Sequence, residues 1–210
     1  MRKLFILSAL LFPALVFAQR SIKLTSNSVH SHFLEKRKTI DSAFTIASAL
    51  LSSEEFQSIY TNLDFPYWNH CKVGECSADK NHTGPETTTG KEVMNLLFKE
   101  ANVVMTIDLK KRSRHALGAT CPGNYFTTAY YENILKDMPH LPYAYAIAVN
   151  LCHEYMHQVG LCHYSNSFQE PDDEHPDPEG FKNDVAYNVG WNAYYIATKW
   201  YVNHKVIPGL

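Results

Sequence analysis

The sequence predicts an α+β fold: a small mixed sheet packed on a central helix, a helical N-terminal extension before it and a helix after it. Three observations carry this. Asn102 to Leu109 alternates, with Val103, Met105, Ile107 and Leu109 on one face and Val104, Thr106 and Asp108 on the other, the period of a half-buried strand. Runs of helical period lie on both sides of it. Between the strand region and the last helix stands HEYMHQVGLCH, His153 to His163, whose spacing is meaningful only on a helix followed by a turn.

The first eighteen residues read as a leader. Arg2 and Lys3 precede an apolar run from Leu4 to Phe17, and Val16 and Ala18 are the small residues a signal peptidase needs. Cleavage is expected before Gln19, which makes the protein secreted or periplasmic. The run is too short for a comfortable membrane span, and no later stretch is long and apolar enough to be one. Residues 19–88 are assigned to the N-terminal extension and its following loop, and residues 89–210 to the functional domain.

Residues 19–30 are polar and read as an extended or loose lead-in. Phe33, Ile40, Phe44, Ala47 and Leu51 then recur at near-helical intervals. Ser52 and Glu55 fit a capping box, so a short second helix carrying Phe56, Ile59 and Tyr60 is expected. With apolar faces of its own, this extension is expected to pack on the rest of the chain rather than serve as a propeptide. Phe65 to Thr88 reads as a loop, with Pro66, Gly74, Gly84 and Pro85 among polar residues and a formal glycosylation sequon at Asn81. Thr89 and Glu92 form another capping box, opening a helix to about Ala101. After the alternating strand, His115 to Thr120, broken by Gly118, and Tyr125 to Tyr131 are further strand candidates. The motif helix should begin near Leu141 with Pro142 in its first turn, and Ala144, Ala146 and Ala148 let it lie close to the sheet. Gln169 to Gly180 is acidic and proline-rich. A calcium site is conceivable there, but a solvated loop fits its irregular spacing better. Gly190 to His204 is an aromatic helix, carrying Trp191, Tyr194, Tyr195 and Tyr201.

The formal charge is −2, two units more acidic once Arg2 and Lys3 are gone. Lys110, Lys111, Arg112 and Arg114 make only a short solvated cluster, so no nucleic-acid partner is expected. Five cysteines in an exported chain favour disulfides, and an odd number leaves at least one over. Cys71 and Cys76 are near enough to close a small loop. Cys152 and Cys162 each precede a motif histidine, and a bridge between them would tie the helix to its turn. Cys121 is an alternative partner for either.

His153 and His157 are four apart, so a helix puts both imidazoles on one face, half of a zinc site. Glu154 flanks that face, placed to hold a water in the metal's open position. Gly160 can take a left-handed conformation, end the helix and bring His163 round as the third ligand. Three protein ligands plus water is the arrangement of a catalytic Zn2+, and His175 is not needed.

The pattern H-E-x-x-H-x-x-G-x-x-H resembles that of the metzincin zinc peptidases. The resemblance implies a zincin-like domain in which an edge strand, here around Ala116 to Thr120, pairs with the substrate backbone. It also implies a methionine turn beneath the zinc. No methionine follows Met156, and Asn183-Asp184-Val185-Ala186-Tyr187 resembles the Ser-x-Met-x-Tyr form of that turn with Val185 in methionine's place. Tyr187 then stands where some members carry a tyrosine that ligates zinc or stabilises the oxyanion. The expected activity is that of a monomeric zinc metalloendopeptidase acting on protein or peptide, with Glu154 as general base. The alternatives are a zinc hydrolase of a non-peptide amide on the same scaffold and a non-catalytic zinc-containing binding protein.

Overall fold

The computed structural model describes residues 19–30, 37–61, 66–69, 86–114, 116–120, 123, 125–161 and 185–210. The leader, the Asn81 sequon, His163, His175, the acidic insert, Cys71, Cys76, Cys121 and Cys162 lie outside them. The elements in chain order are β1 (Lys23–His30), α1 (Arg37–Ser52), α2 (Glu54–Gln57), a 3-10 turn (Ser58–Thr61), β2 (Pro66–Asn69), β3 (Glu86–Thr89), α3 (Gly90–Leu97), β4 (Asn102–Lys110), β5 (Gly118–Thr120), β6 (Phe126–Tyr130), α4 (Tyr131–Asp137), α5 (Tyr143–Gln158) and α6 (Val185–Val202). The chain is thus α+β, with a small mixed sheet and six α-helices among the described residues.

The main sheet has the order β1-β4-β6-β5. β4 is parallel to both β1 and β6, and β5 runs antiparallel on the outer side of β6. β4 keeps the alternation read from the sequence: Val103, Met105, Ile107 and Leu109 are buried. α1 packs on β1 and on α5, and α6 packs on α5. The motif helix is therefore enclosed between the N-terminal and C-terminal helices, in the core, where Tyr155 is buried and donates its hydroxyl to the Leu97 carbonyl at 3.0 Å.

Several expectations change. The lead-in over residues 23–30 is strand β1, an edge strand whose pairing partner lies some eighty residues away. Its polar residues hid it. The main-chain groups that point off the sheet at Ile22 and Leu24 are bonded by the hydroxyls of Ser52 and Ser48, one turn apart on α1. Ser52 is thus the end of α1, and the N-cap of α2 is Ser53, whose Oγ accepts from the Phe56 N–H at 3.1 Å. The segment read as one loop begins and ends in a two-stranded ribbon, Pro66–Asn69 against Glu86–Thr89, built at its ends from β-favouring Tyr67, Trp68 and threonines. The Thr89–Glu92 capping box forms as read, but α3 stops at Leu97, and Ala101 belongs to the approach to β4. Tyr131 opens the unexpected helix α4 rather than closing β6. Pro142 sits at the N-cap of α5. α6 begins at Val185 rather than Gly190, so Val185, Ala186 and Tyr187 are its first turn. No helix of the described residues is long and apolar enough to cross a membrane.

Candidate metal centre

On α5, His153 and His157 stand one turn apart with ring centroids 5.0 Å from each other and planes at 85°. Each ring is fixed by a main-chain carbonyl. His153 Nδ1 lies 3.0 Å from the Ala186 oxygen and His157 Nδ1 lies 2.8 Å from the Leu161 oxygen. A carbonyl only accepts, so Nδ1 carries the proton in both rings and the neutral imidazole keeps its lone pair on Nε2. That is the orientation a metal-ligating histidine needs, with its other nitrogen held from behind.

Both carbonyls reach the rings through a glycine. Gly160 takes φ 90°, and α5 closes with Leu161 N–H on the Met156 carbonyl and Gly160 N–H on the His157 carbonyl, the paired bonds of a Schellman ending. This reversal turns the Leu161 carbonyl back onto His157. On the other side, α6 comes close to α5 at Gly190, where a Cβ would sit 3.1 Å from His153 Nδ1. The close approach sets the Ala186 carbonyl, in the first turn of α6, against His153.

Glu154 is 2% exposed and faces β5. A Cβ at Gly118 would collide with its carboxylate, so only glycine lets β5 lie this near. Burial pushes its carboxyl up to about 7, against the opposing effect of a hydrogen bond from the Thr120 side chain. Glu154 Oε2 has no hydrogen-bond partner among the described residues. An orphaned buried carboxylate oxygen beside two oriented imidazoles fits a centre that takes a cation and a water.

Tyr187 lies in the first turn of α6 with its ring 5.7 Å from that of His153. The structure thus brings together His153, His157, Glu154 and Tyr187. Val185 is fully buried at the start of α6. His163, two positions past Leu161, is outside the described residues, and among those residues no group of three or more His, Cys, Asp and Glu is poised to hold a metal. Cys152 is a free, fully buried thiol turned toward the Ala47 carbonyl of α1 at 3.8 Å.

Sequence reasoning missed the residues around these four. Gly118 and Thr120 enter the sequence reading only as part of a substrate-pairing edge strand, not as neighbours of Glu154, and Asn150 and Gly190 carry no site role in it. The Ala186 and Leu161 contributions are main-chain carbonyls and leave no side-chain signal. Comparison of the chain with protein-family models, with curated proteins and with solved structures found no match to any of them.

Proposed function

We propose that the protein is an exported zinc metalloendopeptidase of metzincin-like architecture, with His153, His157 and His163 as ligands, Glu154 as general base and protein or peptide as substrate. One observation carries the reading: two imidazoles one turn apart, each with Nδ1 held by a main-chain carbonyl, flank a buried carboxyl on the same helix. A zinc ion bound there supplies Lewis acidity toward a water and a carbonyl.

The rest is done by the chain. Glu154, buried on the helix that carries both imidazoles, is placed to take a proton from the attacking water and return it to the departing amine. Edge strand β5 offers the main-chain groups on its far side from β6 to an extended substrate, which would join the sheet as a further strand. At the opposite edge, the off-sheet groups at Ile22 and Leu24, where β1 begins, are already taken by Ser52 and Ser48, which favours β5 as the edge for docking. Tyr187, against His153, is placed to donate its hydroxyl to the developing oxyanion.

Zinc content and cleavage of an unfolded protein substrate, measured on wild type and Glu154→Gln, test this. The expected result is zinc bound by both and cleavage by the wild type only, with a loss of about 10²–10⁴-fold or more in the variant. A wild type that binds no zinc, or a variant that still cuts, overturns the assignment. Zinc in both with cleavage of small amides alone favours a non-peptide substrate.

A further inference from the structure

Asn150 lies one turn before Glu154 on α5 and is 3% exposed. Its side-chain nitrogen has no hydrogen-bond partner among the described residues, and the same is true of Glu154 Oε2. The two side chains converge on one point: the Cβ position above Gly118 is 3.0 Å from Asn150 Nδ2 and is overlapped by the Glu154 carboxylate. The carboxylate oxygen at the notch is Oε1, and a half-turn of the Glu154 carboxylate exchanges it with the partnerless Oε2, which brings that acceptor to the side of Asn150 Nδ2 four residues away. For the fold alone, an unpaired buried amide is a poor choice, because an apolar residue of similar volume would fill the place without stranding an N–H.

We infer that Asn150 is a positioning residue: its amide N–H holds the Glu154 carboxyl oxygen that has no other partner, and Gly118 keeps open the notch in which the two meet. If Glu154 is the general base of a peptidase, as proposed above, this bond fixes which oxygen faces the water and which faces the helix. β5 lies against the same carboxyl at Gly118, so the base would sit between its own helix and the proposed docking strand. A base held this way is displaced by small changes that leave the metal ligands alone.

The test uses wild type, Asn150→Leu, Glu154→Leu and the double variant. All four are melted with a chelator present, and zinc affinity, kcat and KM are measured for the wild type and Asn150→Leu. The leucine variant leaves the buried Glu154 oxygen without its donor, so it is expected to melt below wild type while binding zinc as tightly. Its kcat should fall about 10–100-fold while KM stays within about twofold. The melting shifts of the two single variants should not add in the double variant. Gly118→Ala, whose methyl would overlap the Glu154 carboxylate and press on Asn150 Nδ2, should likewise lose kcat and keep zinc. Additive shifts overturn the proposal, as does an unchanged kcat in Asn150→Leu, or a kcat loss accompanied by zinc loss. Should Asn150→Leu fail to fold, Asn150→Ala takes its place and is read the same way. If the wild type cuts no substrate, the peptidase reading falls by itself and the melting cycle decides alone: coupling supports the held carboxyl, and additivity overturns it.

Discussion

Glu154 sits where its charge is costly, and this has a measurable consequence in the metal-free chain. The folded protein raises its carboxyl from 4.5 to about 7 by burial. Below pH 4.5 both folded and unfolded chains hold the proton, and the group has no effect on stability. Between 4.5 and 7 the unfolded chain releases the proton while the folded chain keeps it, so stability falls as pH rises, by an amount on the order of 3 kcal/mol above pH 7. With chelator present, Glu154→Gln should therefore melt above wild type at pH 8 and level with it at pH 4. Equal melting at both values would remove the buried-carboxyl argument. Cys152, fully buried with its thiol pKa pushed up by desolvation, makes a second residue-scale case. Iodoacetamide at pH 8 should leave it unmodified in the folded protein and label it on adding urea, as read by peptide mass spectrometry. Labelling without urea would place it elsewhere than against α1. At this scale the sequence exposes His153, Glu154 and His157, because one helix fixes their spacing. Asn150 and Gly118 stay hidden, because their roles depend on how β5 lies on α5, and no local pattern encodes that.

At the scale of elements, β4 and the opening of α3 were legible because their signals are local: strict alternation in one and a Thr89–Glu92 reciprocal cap in the other. β1 was not. KLTSNSVH has no apolar face, and what makes it a strand is parallel pairing to β4 together with two serines on the following helix. Ser48 Oγ accepts from the Leu24 N–H at 2.8 Å, and Ser52 Oγ accepts from the Ile22 N–H at 2.9 Å. Each hydroxyl also reaches the carbonyl of the same residue, so α1 imitates a neighbouring strand along this edge. Ser48→Ala or Ser52→Ala strands a donor and an acceptor near the core and should cost about 1–3 kcal/mol each in urea unfolding. The pair should also raise the tendency of the chain to self-associate through β1, read by sedimentation. Unchanged stability and a monomeric double variant would mean that water replaces the hydroxyls freely.

At the scale of the whole molecule, the question is whether residues 19–88 can be detached from the rest. The segment contributes Ile22 just before β1 and Leu24 in it, Ile40, Phe44, Ile46, Leu50 and Leu51 on α1, and Phe56 and Tyr60 beyond it, all buried. α1 covers the face of α5 that carries Cys152, and the Tyr60 hydroxyl donates to Asn188 Oδ1 at 2.9 Å, next in sequence to Tyr187. Glu55 reaches the far end of α6 and accepts from the buried Trp200 indole N–H at 2.6 Å. Each large apolar side chain whose burial is lost would forfeit about 1.5–3 kcal/mol, and nine of them together match or exceed the roughly 5–15 kcal/mol by which a domain is stable. The chain from Thr89 to Leu210 should accordingly show no cooperative urea transition and bind no zinc, since the carbonyl that orients His153 comes from α6, which packs on α5, α1 and α2 together. A truncated chain that unfolds cooperatively and holds zinc would instead make the segment a removable propeptide. Its burial against α5 would then be a way of keeping the motif helix in place only until the segment is cut away.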